Sequence, residues 1–161
     1  MNGDDFVIYP EDLDLINETL QAFVDDSECK CCLLVHKNGQ LVAKQGFTTN
    51  IDTTSLAALA AGAFASTKEI ARLVGESEFS VLFHEGKTGH IHVALAGEHT
   101  IMVTVFDDRT TIGMIRLYAG QAAERLGEVF AEAAKRPPPA DIFGELAAAD
   151  EGSGDLFHEQ D

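Results

Sequence analysis

Residues 55–66, SLAALAAGAFAS, read as a helix without a polar side. Leu56, Leu59, Ala63 and Ile70 follow the three-or-four spacing of one helical face. The opposite face, where a surface helix carries charge, holds Ala58, Ala61, Gly62 and Ala65, and the first charges come at Lys68, Glu69 and Arg72. A helix apolar on two sides needs cover on both.

The flanking sequence says what the first cover is. Asp52, Thr53 and Thr54 offer alternative N-caps, and Gly75 ends the helix after about Val74. Upstream, CKCCLLVHKNGQLVAKQG (29–46) is two β runs around Asn38-Gly39, the pair that best supplies the positive φ values of a type I′ turn. Before that, a first helix begins at Pro10 with Glu11 and Asp12 favoured by the dipole. Its apolar stripe is Leu13, Ile16, Leu20 and Phe23 or Val24, and Asp25 and Asp26 end it.

Downstream, three short strands at about 80–84, 91–96 and 100–106 are joined by glycine-containing turns and predict an antiparallel meander. A last helix then carries Ile112, Ile115, Ala119, Ala122, Leu126, Val129 and Ala133 at regular spacing. Pro137, Pro138 and Pro139, without amide hydrogens, stop it. The expected order is α-β-β-α-β-β-β-α: an α/β fold whose five-stranded antiparallel sheet has one helix on one face and two on the other. If the second helix alone covers one face, its Ala/Gly side is left bare. The most economical cover is the same helix of a second copy about a two-fold axis.

The formal charge of −16 is unevenly spread over the 161 residues. Residues 1–28 hold nine acids and no Lys or Arg, and residues 136–161 hold seven acids and one Arg, which leaves −1 for the middle. Without a basic stripe, nucleic acid and anionic membrane surfaces are disfavoured as partners. Neither a signal-peptide pattern nor an apolar run of about 20 residues is present, so the cytoplasm is the expected compartment. Cys29, Cys31 and Cys32 crowd one strand and read as buried structural thiols.

Candidate chemistry is sparse. Gly86-Lys87-Thr88 resembles the end of a phosphate loop, but Val81 stands where the earlier glycine belongs and no helix follows, so a hairpin turn is expected. Arg72 and Arg109 are possible fingers in trans, though Arg109 follows Asp107 and Asp108 and should pair locally. His84, His90, His92 and His99 lie close in sequence, and His90 and His92 share a strand face, yet strand-filling histidine is the plainer reading and no metal is expected. No catalytic triad is spaced for assembly, and no cofactor is implied.

VHKNGQLVAKQG, NIDTTSLAALAAG, GESEFSVLFHEG and VTVFDDRTTIGMIRL, in that order over roughly residues 6–135, resemble the Roadblock/dynein light chain family, and within it the bacterial polarity regulators. The resemblance implies a homodimer with second helices side by side beneath a sheet continuous across both subunits. It implies that one dimer binds one Ras-like small GTPase in its GTP form and stimulates hydrolysis without an arginine finger. The carried-over GTPase-binding residues are Ala58, Ala61, Gly62, Ala65, Glu69 and Arg72. Lys68 and Glu69 are more charged than that pattern. Residues 1–135 are then the Roadblock domain, and 136–161 a flexible acidic tail whose Asp155, Leu156 and Phe157 are carried over as a motif assisting nucleotide exchange. A cytoplasmic protein enriched at a cell pole is implied. The alternatives are a non-catalytic Roadblock scaffold tethering a GTPase or motor complex, and a metal or redox module built on the His and Cys clusters.

Overall fold

The computed structural model describes residues 6–136. In chain order the elements are α1 (Pro10–Ser27), β1 (Cys31–His36), β2 (Leu41–Gly46), α2 (Thr53–Leu73), β3 (Val81–Glu85), β4 (Gly89–Leu95), β5 (Thr100–Asp107) and α3 (Ile112–Ala134). The strands form one sheet in the order β2-β1-β5-β4-β3, with every neighbouring pair antiparallel. α1 and α3 pack on one face and α2 on the other. The expected element order and the two-against-one arrangement of helices are those of the structure. The acidic tail, with Asp155, Leu156 and Phe157, lies outside the described residues.

Strand alternation sorts the core into two layers. Leu33, Val35, Val93, Ile101 and Val103 project beneath α2, while Cys32, Leu34, Met102 and Phe106 project beneath α1 and α3. β1 and β5 are central and covered on both faces, which is why CCLLV and IMVTV are near-continuous apolar runs. Buried Ile16, Leu20 and Phe23 of α1 meet Ile115, Ala119, Ala122 and Leu126 of α3 over this second layer.

Three local expectations are corrected. Asn38-Gly39 does turn the chain, but not as type I′, which needs positive φ at both residues. Gly39 has φ 98°, whereas Glu28 is the only described non-glycine residue with positive φ. The His36 carbonyl accepts from Gly39 N at 2.8 Å, and β1 and β2 slip register between Leu34 and Val35, so a longer turn with a bulge replaces the tight one. On α1, Leu13 faces outward. Asp12 takes the inward place, accepting from Tyr9 N at 3.1 Å and from Arg136 Nη1 at 2.9 Å. That carboxylate both caps α1 and ties it to the end of α3. The helix also runs past Asp25 and Asp26 to Ser27, and Glu28, with φ 58°, closes it in the left-handed conformation.

Candidate functional site

α2 starts at Asp52, which the structure selects among the three possible caps. Its carboxylate accepts from Ser55 N at 3.1 Å and Ser55 Oγ at 2.7 Å, and these bonds hold the Asp52 carboxyl below its ordinary pKa. The side against the sheet is Ala57, Ala60, Ala61, Phe64, Thr67 and Ala71. Alanines opposite large sheet residues interdigitate closely, with Phe64 filling the space they leave. The sequence reading inverted part of this. Ala61, expected on the open side, is 5 % exposed in the core, while Leu59 and Ile70, expected to face inward, are 72 % and 52 % exposed. The sheet already supplies the bulk, so the close-packed side goes to the small residues and the leucine stripe is turned out.

Two open stripes therefore run along α2. Ala58, Gly62, Ala65, Glu69 and Arg72 are exposed and recur every three or four residues along one flank. The turn between β1 and β2 approaches its start: a Cβ added at Gly39 would lie 3.4 Å from the Ala58 backbone. A Cβ at Gly62 would meet nothing within 4 Å, so that point of the stripe is unobstructed. Arg72 Nη1 closes the stripe 3.0 Å from Glu69 Oε2. The second stripe, Leu59, Ile70 and Leu73, is large and apolar, with Leu56 and Ala63 half-buried beside it. Sequence reasoning found these positions as a face but missed that they are a surface. The signal was the alanine content of the other side, which lets the helix sit close to the sheet. β3 lies at the sheet edge opposite β2, beyond the strands α2 chiefly contacts.

The other candidates are placed as follows. Gly86, Lys87 and Thr88 form the turn from β3 to β4, with Gly86 N donating to the Gly89 carbonyl at 3.0 Å, and a strand follows. The segment is a hairpin, not a phosphate cradle. Arg109 is held by Asp107 at 3.0 Å, the local pairing expected, and that contact keeps the Asp107 carboxyl below its ordinary pKa. The three cysteines are buried and free, and burial pushes the Cys29 thiol up to about 11 and raises Cys31 and Cys32. Such thiols stay protonated and are poor nucleophiles at neutral pH.

The two histidines on one strand face do not act together. His90 Nδ1 accepts from Gly86 N at 3.3 Å, which leaves the proton on Nε2 to donate to Asp108 Oδ1 at 3.1 Å. His92 is 1 % exposed, and neither ring nitrogen has a hydrogen-bond partner. Burial, then the nearby Arg116 charge, keeps the His92 pKa below 6.5. Among the described residues no three His, Cys, Asp or Glu side chains converge as a metal site requires, and no helix is long and apolar enough to cross a membrane.

A five-stranded antiparallel sheet with α2 on one face and α1 and α3 on the other is the architecture of a Roadblock domain. The chain belongs to the Roadblock/LC7 family, whose domain profile matches residues 15–106. It is similar to solved structures of MglB. Against MglB of Myxococcus xanthus it is 39% identical with a TM-score of 0.76, covering 81% of this chain and 98% of that one. Against the gliding protein MglB of Thermus thermophilus it is 28% identical with a TM-score of 0.74, covering 80% and 97%. Against MglB in a tetrameric arrangement it is 29% identical with a TM-score of 0.76, covering 80% and 97%.

Proposed function

We propose that this chain forms a homodimer that binds a Ras-like small GTPase of the MglA type in its GTP form, two copies per GTPase, and stimulates hydrolysis. In this role it regulates bacterial cell polarity and gliding motility from the cytoplasm and a cell pole. The observation that carries the reading is the pair of open stripes on α2 in a chain so similar to MglB. The large stripe, Leu59, Ile70 and Leu73, is the kind of apolar surface a second copy buries, and the outer edge of β3, unpaired among the described residues, offers main-chain groups to the same partner. The small stripe, Ala58, Gly62, Ala65, Glu69 and Arg72, is then the GTPase-binding surface. Ala61, being buried, drops out of that set.

The chemistry of such an activator is positioning. Phosphoryl transfer needs little covalent help, and ordering a GTPase's own water-positioning residues is worth orders of magnitude. The small stripe suits this, since Cα-level approach at Gly62 and Ala65 lets a switch segment lie flat against the helix. Arg72 and Arg109 are each held by a neighbouring carboxylate, which fits a mechanism without an arginine finger. Residues 155–157 are proposed to assist nucleotide exchange.

The test is phosphate release by a Ras-like GTPase of the MglA type, alone and with the full protein. A rise of roughly tenfold or more supports the activator reading. Binding without acceleration leaves a Roadblock scaffold in its place, and absence of binding removes both.

A further inference from the structure

A cavity of about 130 Å³ opens between α2 and the turn joining β1 to β2. Its apolar floor is Phe64, Ala65 and Ile101, and Lys37, Lys68 and Glu78 stand at its rim. Lys37 Nζ is 3.6 Å from Glu78 Oε1, so that lysine is matched. Lys68 makes no ion pair or side-chain hydrogen bond among the described residues. An apolar hollow with one unmatched cation at its lip fits an apolar side chain next to a carboxylate. A cavity of about 150 Å³ accepts a benzene ring, so this one suits a single aliphatic or aromatic side chain.

The sequence holds such a group beyond the described residues. Residues 137–161 contain seven acids and no Lys or Arg, and within them Asp155-Leu156-Phe157 sets a carboxylate beside two apolar residues. We propose that Asp155-Leu156-Phe157 docks on its own domain here, Leu156 or Phe157 entering the hollow and Asp155 meeting Lys68.

Reach and charge both favour this occupant. Arg136, from which the segment departs, lines a groove with His99, and the His99 carbonyl accepts from Lys37 N at 2.8 Å. The segment thus leaves the domain at the end of the sheet where the cavity opens. α3 and α2 lie on opposite faces, about 20 Å apart if each layer is about 10 Å. Asp155 is 19 residues beyond Arg136 and can span roughly 60 Å, whereas the similar Asp141-Ile142-Phe143, five residues out, spans roughly 16 Å. Closing the longer loop adds little entropy cost over a shorter one. Because Ala65 lines the hollow, a docked segment covers part of the small stripe and competes with the GTPase. That consequence rests on the function proposed above; the docking itself does not.

Zero-length coupling of the full chain tests the docking. A water-soluble carbodiimide activates the Asp155 carboxyl, the Lys68 amine displaces it to form an amide, and the carbodiimide leaves as its urea. Peptide mapping is expected to give Lys68–Asp155 as the main link of Asp155, about tenfold over its links to Lys30, Lys44 or Lys87, and L156S/F157S should abolish it. A docked segment should also cover Lys37 at the rim and slow its acylation, and Lys68→Arg should lose the link while keeping that protection, since the charge remains. Links spread evenly over the lysines, links indifferent to L156S/F157S, or a Lys68 link to Asp141 in place of Asp155 would each overturn the proposal. So would a link found only between isotopically distinct chains. L156S/F157S should also tighten binding of the GTP-loaded GTPase several-fold. If the link forms and binding is unchanged, the docking stands and competition at Ala65 is overturned.

Discussion

The two faces of the sheet solve the same problem differently. Beneath α1 and α3, large side chains meet large side chains: Ile16, Leu20, Ile115 and Leu126 are fully buried, and Arg136 on Asp12 ties the two helices at one end. That layer is finished within one chain. On the other face a single helix lies on alanines and one phenylalanine, Phe64, while Leu59, Ile70 and Leu73 point away from the protein. Three large hydrophobes left outside on one helix are the kind of surface that association covers. The contrast teaches where stability resides and where association should.

Substitutions can break that contrast, and the largest stability effect belongs to the finished face. Leu126→Ala should lower unfolding free energy by ~2–5 kcal/mol, read by denaturant titration, because the cavity it leaves has no route to collapse between α3 and the sheet. A loss as small as that of a surface change would mean the α1–α3 layer is not the closed one. On the open face, L59E/I70E should leave the unfolding midpoint of the single chain nearly unchanged while weakening self-association by roughly 100-fold. Light scattering across a dilution series reads this directly, and an intact dimer would move the interface elsewhere.

Ala65→Arg tests the other stripe. The folded variant should bind the GTP-loaded GTPase at least about tenfold more weakly, a change of about 1.4 kcal/mol. Undiminished capture of the GTPase would remove Ala65 from the surface.

A pH series sharpens the comparison within the finished face. His92 is buried without a partner and its pKa lies below 6.5, so between its folded value and 6.5 the unfolded chain binds a proton that the folded chain does not. Stability is thus fully present above about 6.5 and falls as pH drops through that window. His92→Leu should flatten the slope there and change little at pH 8. A slope identical to the parent would assign the acid sensitivity to other groups. The smallest effect is expected at Arg109, whose exposed pair with Asp107 is local. Arg109→Ala should shift neither the unfolding midpoint nor the stimulated hydrolysis rate, and a collapse of that rate would reveal the arginine finger the proposed mechanism does without.

Much of the fold was legible because the signals were local. Pro10, the Asp52 region, Gly75 and the three prolines after Arg136 punctuate the chain, and period-two and period-3.6 patterns between them name each element. The turn at Asn38-Gly39 was legible in place but not in type, since Lys37 N bonds across to the His99 carbonyl on another turn. The candidate site was legible as a stretch and misassigned by face. Ala58, Gly62, Ala65, Glu69 and Arg72 are open as expected, but Ala61 is not.

What the sequence by itself determined was therefore the element order, a sheet that needs cover on both faces, and the presence of a helix apolar on more than one side. Those follow from backbone geometry and side-chain period, which each residue carries with it. Which side of α2 faces the sheet was decided only in three dimensions, because it depends on the bulk of Leu33, Val35, Ile101 and Val103 projecting from strands far away in the chain. Close packing puts small against large. That rule turns Leu59 and Ile70 outward, and no reading of the helix alone contains it.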